Sequence, residues 1–319
     1  MSSIGVWGRQ LTAGIAAGLV GASPAIGLAI ASSQQEPAPA QVAEPPGRSD
    51  VADPAPAHVI VGAGDIAECQ NPGDELTAHL LDGIDGTVFT LGDNVYDSGT
   101  PNEFADCYHP SWGRHRERTR PVPGNHDYET PNASGYFEYF GERAGEAGEG
   151  YYAYSVGDWS VYALNSNCDE VGGCDPASRQ YQWLASRVST DDADCSIAYW
   201  HDPILTASSA GESDAVLPLV EVLYHAGVEM LLTASSHSYE RLAPLAPDRS
   251  IDRDRGIRVF VVGTGGAGLR PLGPPLPATE ASDDRTHGVL KLDLNAGWYE
   301  WEFIPADGNF QDRGVDTCH

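Results

Sequence analysis

The stretch TVFTLGDNVY, residues 87–96, is a β-branched and aromatic run that stops at Gly92 and delivers Asp93, with Tyr96 three residues further on. Short apolar runs bounded by glycine mark buried strands. The same pattern recurs on both sides of it. VIVGAG (59–64) is followed by Asp65, and RPVPG (120–124) by Asn125, His126 and Asp127. SIAYW (196–200) is followed by His201, and MLLTASS (230–236) by His237. Helical stretches alternate with these runs: GDELTAHLL (73–81), ASRQYQWLASRV (177–188) and VLPLVEVLYHAG (216–227), the last closed by Gly227. Apolar strands alternating with helices predict a buried, mostly parallel sheet. The later YYAYSVGDWSVYALNS (151–166), IRVFVVG (257–263) and GVLKLDLNAGWYEWEF (288–303) add antiparallel material and predict a second sheet packed on the first.

In open α/β sheets the carboxyl ends of the strands converge on one crevice. A glycine before Asp65, Asp93 and Asn125 lets the backbone turn sharply out of each strand. Taken singly, an Asp or Asn at such a place is a turn former or a cap. Two Asp, one Asn, two His and one Tyr at successive strand ends are too specific a set for turn chemistry. They suit two-metal hydrolysis, in which a pair of ions ~3.5–4 Å apart clamps a phosphoryl group and generates hydroxide from water. Asp93, central in sequence, is the expected bridge. A phenolate such as Tyr96 suits Fe(III), whereas neutral Asn125 and His201 suit a divalent ion. His126 is placed to donate a proton to the phosphate or leaving oxygen, with Asp127 orienting its ring.

Composition narrows the class. The 319 residues carry 18 basic and 46 acidic side chains, a net charge of −28, with Lys291 the single lysine. A chain this acidic is a poor candidate for binding nucleic acids or anionic membranes, both of which need a basic face. An apolar content of 41% is enough for a large core. Residues 1–31 read as an export signal: Arg9 supplies the positive start, 11–31 are uncharged and apolar or small, and Ala29-Ile30-Ala31 fits a cleavage site. About twenty such residues are also long enough for a membrane anchor, but Gly and Ala dominate them and Pro24 interrupts them. Removal, and hence a secreted protein without a stable anchor, is expected. Residues 32–56 read as a Pro/Ala-rich disordered linker, and 57–319 are expected to form one domain.

An even cysteine count on an exported chain favours disulfides, and six cysteines allow fifteen connectivities. Cys168–Cys174 would close the short loop CDEVGGC. Cys69–Cys107 would join the loops after the first two strands, which leaves Cys195 with Cys318. A zinc cluster would want a C-x-x-C pair, and the sequence has none.

At this point the residues resemble a known family, the calcineurin-like metallophosphoesterases, and within it the purple-acid-phosphatase-like branch. That family reads G-D-x, G-D-x-x-Y, G-N-H-D/E, an apolar strand ending in His, and G-H-x-H-x-Y-E-R. Here these stand as Gly64-Asp65-Ile66, Gly92-Asp93-Asn94-Val95-Tyr96, Gly124-Asn125-His126-Asp127, Trp200-His201 and Ala234-Ser235-Ser236-His237-Ser238-Tyr239-Glu240-Arg241. The match spans Asp65 to Arg241 in order, and QYQWL (180–184) and VVGTGGAG (261–268) are similar to the same group. The resemblance implies an α/β fold, a four-layer α/β/β/α sandwich of two mixed β-sheets flanked by helices. It implies one ion on Asp65, Asp93, Tyr96 and His237 and a second on Asp93, Asn125 and His201, with Fe(III) joined by Zn, Mn or Fe(II). The implied activity is hydrolysis of small phosphate monoesters, with diesters as a further class.

The last motif departs from the family. Ser235 stands where the family has its first His, and Ala234 where it has Gly. Groups that merely orient a ligand are worth ~10–100-fold in metal affinity, so loss of a ligand should cost at least that. The second ion is therefore expected to be labile, with Ser235 as a poor oxygen ligand. The alternative is a degenerate member that holds one metal or a phosphorylated ligand without turnover. His109 and His115, between Tyr96 and Asn125, are further candidates for the cleft wall, and Arg241 is expected to be structural.

Overall fold

The computed structural model describes residues 58–319; the expected signal (1–31) and linker (32–56) lie outside the described residues. Fifteen strands follow in chain order: β1 His58–Ala63, β2 Ala67–Glu68, β3 Thr87–Leu91, β4 Val95–Tyr96, β5 Thr119–Val122, β6 Tyr152–Val156, β7 Trp159–Ala163 and β8 Cys195–Tyr199, then β9 Met230–Thr233, β10 Tyr239–Leu242, β11 Arg258–Val262, β12 Thr279–Asp283, β13 Gly288–Asn295, β14 Trp298–Pro305 and β15 Asp312–Thr317. The helices are α1 Gly73–Asp82, α2 Pro101–Glu103, α3 Ser134–Phe140, α4 Arg179–Val188 and α5 Leu217–Ala226.

One large sheet has six strands in the order β15-β14-β13-β1-β3-β5 and the other seven, β12-β10-β11-β9-β8-β7-β6, while β2 and β4 pair separately as a small parallel sheet. Parallel pairing holds β1 to β3 and β3 to β5 in the first sheet, and β7, β8, β9 and β11 in the second. The partition differs from the expectation of one parallel sheet and a later antiparallel one. The 288–303 hairpin joins the first sheet, where β13 runs antiparallel to β1 with Val61 opposite Lys291, while the apolar β8 and β9 belong to the second. Periodicity shows that a strand is buried; it carries no information about which sheet buries it.

Alternation along the central strands produces the layers, because successive side chains leave opposite faces. Ile197 and Tyr199 of β8, Met230 and Leu232 of β9, and Phe260 and Val262 of β11 meet Ile60, Phe89, Leu290 and Leu292 of the first sheet. The intervening Ala198, Leu231, Val259 and Val261 meet Leu184 of α4 and Leu219, Val220 and Leu223 of α5. Each such side chain contributes roughly 1.5–3 kcal/mol by leaving water. Ser178 caps α4 by accepting the Tyr181 N–H. Pro218 sits in the first turn of α5 and Gly227, at φ 76°, ends it. With α1 and the short helices after residue 100 on the outer face of the first sheet, the result is a four-layer α/β/β/α sandwich. Disulfides join Cys69 to Cys107, Cys168 to Cys174 and Cys195 to Cys318.

Candidate metal centre

Three mutually parallel strands of the first sheet (β1, β3, β5) and two of the second (β8, β9) each lead into a residue of the candidate centre. The residues immediately beyond them are the expected ligands. Tyr96 Oη donates to Asp65 Oδ1 at 2.7 Å and to Asp93 Oδ2 at 3.0 Å, and lies 3.1 Å from His237 Nε2. Asp93 Oδ2 is 3.4 Å from His201 Nε2 and 4.0 Å from His126 Nε2. Asn125 Oδ1 lies 3.2 Å from His201 Nε2, and Asp65 Oδ1 3.5 Å from His237 Nε2. Donor atoms of Asp65, Asp93 and His201, all buried, lie within 4.8 Å of one another.

The local backbone explains how side chains converge so closely. Asp65 (φ 56°), Asp93 (φ 48°), Ser235 (φ 65°) and His237 (φ 50°) are all left-handed, a conformation that costs a non-glycine residue of order 1–3 kcal/mol and gathers at functional sites. Gly92 is left-handed too, at φ 84°. Gly124 is not, and is needed for room: a Cβ there would stand 2.2 Å from Asp93 Oδ1. A Cβ on Gly263 would stand 2.4 Å from Asp65 Oδ2. The turn role expected of the glycine before each ligand is therefore carried largely by the ligands themselves.

Each histidine is held by its far nitrogen. The Nδ1–H groups of His201, His237 and His126 point to the carbonyls of Leu91 (2.7 Å), Gly268 (2.8 Å) and Asp97 (2.6 Å). That contact fixes the tautomer and turns Nε2 toward the centre, the usual arrangement behind a metal-binding imidazole. The His126 N–H also donates to Asp93 Oδ1 at 2.8 Å, leaving Oδ2 facing Tyr96 and His201.

Electrostatics match. Burial works against ionisation of Asp93, but the charges of His201 and His126 outweigh it and hold its carboxyl at about 2. Burial likewise opposes charge on His201, yet Asp93 raises the imidazole well above its usual range. Burial, then Asp65 and Asp93, push the Tyr96 phenol well above 10, so without a cation it keeps its proton and shares it in hydrogen bonds to the carboxylates. A cation inverts that logic. Asp65 Oδ2 is buried with no hydrogen-bond partner, facing the space that Gly263 leaves open. An orphaned carboxylate oxygen among hard oxygen donors and aligned imidazoles fits metal ions.

Asp127 does not orient the His126 ring. Its Oδ2 turns inward and accepts the N–H of Gly124 (2.9 Å) and the N–H and side chain of Asn94 (3.3 and 3.0 Å). Burial and then repulsion from Asp93 raise its carboxyl to about 7. Its position makes it a brace between the β3 and β5 turns. Asn94, which donates also to the Val122 carbonyl at 3.0 Å, is a partner in that brace that the motif had left unassigned. Ser235 is half-buried beside Ala234, whose N–H donates to the His201 carbonyl at 2.8 Å. His109 pairs with Tyr139 at 2.9 Å and His115 with Asp82 at 3.1 Å, and neither contacts the centre. Arg241 pairs with Asp312 at 2.8 Å and with Glu280, a structural role.

Such a sandwich, with ligands at the strand ends, defines a class of metal-dependent phosphoester hydrolases. The family described as calcineurin-like phosphoesterase matches residues 57–239, more than half of the chain, and the protein belongs to that family. Among solved structures it is similar to a purple acid phosphatase from yellow lupin (Lupinus luteus), with TM-score 0.63 and 17% identity over 83% of this chain and 54% of that one. The chain thus spans about half the length of the lupin protein. It is similar also to a dimetal phosphatase from Danio rerio (TM-score 0.56, 12% identity, 83% and 100% covered). A third likeness is to GAP50, the anchor in the inner membrane complex of Plasmodium (TM-score 0.61, 14% identity, 81% and 89% covered). At these identities the likeness is one of fold. No curated protein sequence matches the chain.

Proposed function

We propose that the protein is an exported binuclear metallophosphatase acting on small phosphate monoesters, with diesters as a further class. The observation that carries this is the placement of Tyr96 Oη within 2.7–3.1 Å of Asp65, Asp93 and His237, while Asp93 Oδ2 also faces His201 at 3.4 Å. Asp65, Asp93, Tyr96 and His237 would hold one ion, suited to Fe(III). Asp93, Asn125 and His201 would hold the other, suited to Zn, Mn or Fe(II) and made labile by Ser235. Bound there, the ions would supply charge stabilisation for the phosphoryl group and acidify a water.

The chain's own groups do the rest. Asp93, its Oδ1 fixed by the His126 N–H, keeps Oδ2 turned to both halves of the centre. His126, with Nδ1 tied to Asp97, presents Nε2 to the cleft, where it moves a proton to or from the phosphoryl or leaving oxygen. Export is supported by the three disulfides. Among the described residues no helix is long and apolar enough to cross a membrane. The surface acidity does not exclude an anionic substrate, because charges beyond about 8 Å are screened at physiological ionic strength.

Hydrolysis of p-nitrophenyl phosphate by the metal-loaded protein, lost in Asp93→Ala, is the test; no turnover with Mn, Zn, Fe or Ca would overturn the proposal. Ser235 favours a second reading, a member that holds one metal or a phosphorylated ligand without turnover, and a protein of this fold described as an anchor is compatible with it. Metal counting separates the two: one tight ion and no activity for the second reading, two ions with turnover for the first. A purple preparation would mark Tyr96 on Fe(III).

A further inference from the structure

The segment Leu164-Asn165-Ser166-Asn167, just beyond β7, bears no expected ligand, yet it touches both turns that carry the ligands of the second ion. Asn165 is fully buried, and every polar group it has is engaged. Its N–H donates to Gln180 Oε1 at 2.7 Å and its carbonyl accepts from Gln180 Nε2 at 2.8 Å. Its Nδ2 donates to Tyr128 Oη at 2.9 Å and to the Glu149 carbonyl at 3.0 Å. Its Oδ1 accepts from the N–H and Nδ2 of Asn167, both at 3.0 Å.

From this node two arms reach the centre. On one side Tyr128 closes the turn that holds Asn125, its N–H donating to the Asn125 carbonyl at 3.1 Å, and Asn167 Nδ2 donates to the Pro123 carbonyl at 3.3 Å. On the other, Ser166 Oγ accepts the N–H of Asp202, next to His201, at 3.1 Å. The first ion's ligands are held elsewhere: Ala267 N–H donates to the Asp65 carbonyl at 2.9 Å, and Gly268 accepts from His237. No residue of 164–167 takes part in those contacts.

We propose that Asn165, clamped by Gln180, is a positioning residue for the second-ion half of the centre, setting the spacing of Asn125 and His201 without acting on Asp65, Tyr96 or His237. The proposal rests on the two-ion reading given above. It matters in this chain because Ser235 stands where a further nitrogen ligand would be, so the second ion depends on how well Asn125 and His201 are placed. Groups that orient metal ligands from behind are worth about 10–100-fold in affinity.

The test is titration of Mn(II) into the full-length protein, followed by calorimetry and by metal counting, for wild type, Asn165→Ala and Asn167→Ala. The expected result is two sites in wild type, with the weaker one shifted about 10–100-fold in Asn165→Ala and the tighter one unchanged. Asn167→Ala, which removes the half-buried arm to Pro123 and one of the two bonds to Asn165 Oδ1 while leaving the contacts of Asn165 to Gln180 and Tyr128, should show the same asymmetry at smaller size, and it decides the matter if Asn165→Ala fails to fold. Equal loss at both sites, or no change at either, would overturn the proposal while leaving the two-ion centre standing. A single site in wild type would end both.

Discussion

Gly124→Ala adds one methyl group at the tightest point of the centre. The new Cβ would stand 2.2 Å from Asp93 Oδ1 and 2.3 Å from Asp93 N, where ordinary contact begins near 3.4 Å. The backbone of Asp93 cannot retreat freely, since the Ile66 N–H donates to its carbonyl at 3.0 Å and the His126 N–H to its Oδ1 at 2.8 Å. Either the β5 turn or the Asp93 carboxylate must therefore move by about 1 Å. A misplacement of that size costs roughly 100-fold in rate, equivalent to about 2.7 kcal/mol of transition-state stabilisation. Overpacking should lower stability by a further ~1–3 kcal/mol. Because φ at Gly124 lies outside the left-handed region, backbone strain does not add to the effect. The assay is kcat/KM on p-nitrophenyl phosphate alongside urea unfolding, with Gly83→Ala as control, its nearest atom a carbonyl oxygen 3.7 Å away. If Gly124→Ala stayed within about twofold of wild type in kcat/KM, the steric account of this glycine would be refuted.

Three further outcomes are expected. Ser235→His should tighten the second ion by about tenfold or more and raise the rate at low metal; an unchanged metal titration would show that position 235 does not face the second ion. Phe89→Ala removes a fully buried ring that bridges the sheets, 6.0 Å from Tyr199, and should cost roughly 3–5 kcal/mol in urea unfolding, a loss under about 1 kcal/mol being incompatible with the core described. The hydrogen bond from His319 to Glu229 raises the imidazole pKa above its usual 6.5. Its contribution to stability is thus full below about pH 6.5 and disappears as pH rises through the raised value. Comparing His319→Gln with wild type by thermal unfolding should show a gap that narrows toward alkaline pH, and a gap that widens would contradict the pairing.

Much of the centre was legible because it is built from strand ends, and strand ends are where periodicity is sharpest. β3 and β8 end within a residue of the breaks expected from TVFTLG and SIAYW, β9 ends at Thr233 inside MLLTASS, and the candidate ligands Asp93, His201 and His237 follow shortly after. α4 and α5 likewise lie within 177–188 and 216–227. What was not legible depends on contacts distant in sequence. β15, DRGVDT, has one apolar residue, and only its pairing with β14 makes it a strand. Assignment of the 288–303 hairpin to the first sheet is decided by β1, more than 220 residues away. Asp127 was misassigned for a related reason: adjacency to His126 in sequence suggested contact, but a turn that closes between the Asn125 carbonyl and the Tyr128 N–H points the two side chains to opposite sides. The carbonyls of Leu91, Asp97 and Gly268 that hold the imidazoles are backbone groups, to which a motif of side chains is blind.

The division of labour between glycine and ligand residues bears on Ser235. Where the chain needs space, at Gly124 and Gly263, it uses glycine in ordinary conformations; where it needs a donor aimed into the centre, at Asp65, Asp93 and His237, it accepts left-handed strain on the donor itself. That strain is tolerable when an ion bound between the carboxylates and imidazoles offsets it. Ser235 keeps the same left-handed geometry, at φ 65°, with only a hydroxyl to offer. Asn132, Ala133 and Arg249, outside the ligand set, are left-handed as well, so the conformation by itself does not assign Ser235 a role at the centre. Its neighbour Ala234 ties the same turn to His201, its N–H donating to the His201 carbonyl at 2.8 Å. On the proposed two-ion reading the second ion would rest on Asn125 and His201 with at most a hydroxyl added from position 235, and the metal titration of Ser235→His is what separates a weak donor there from none.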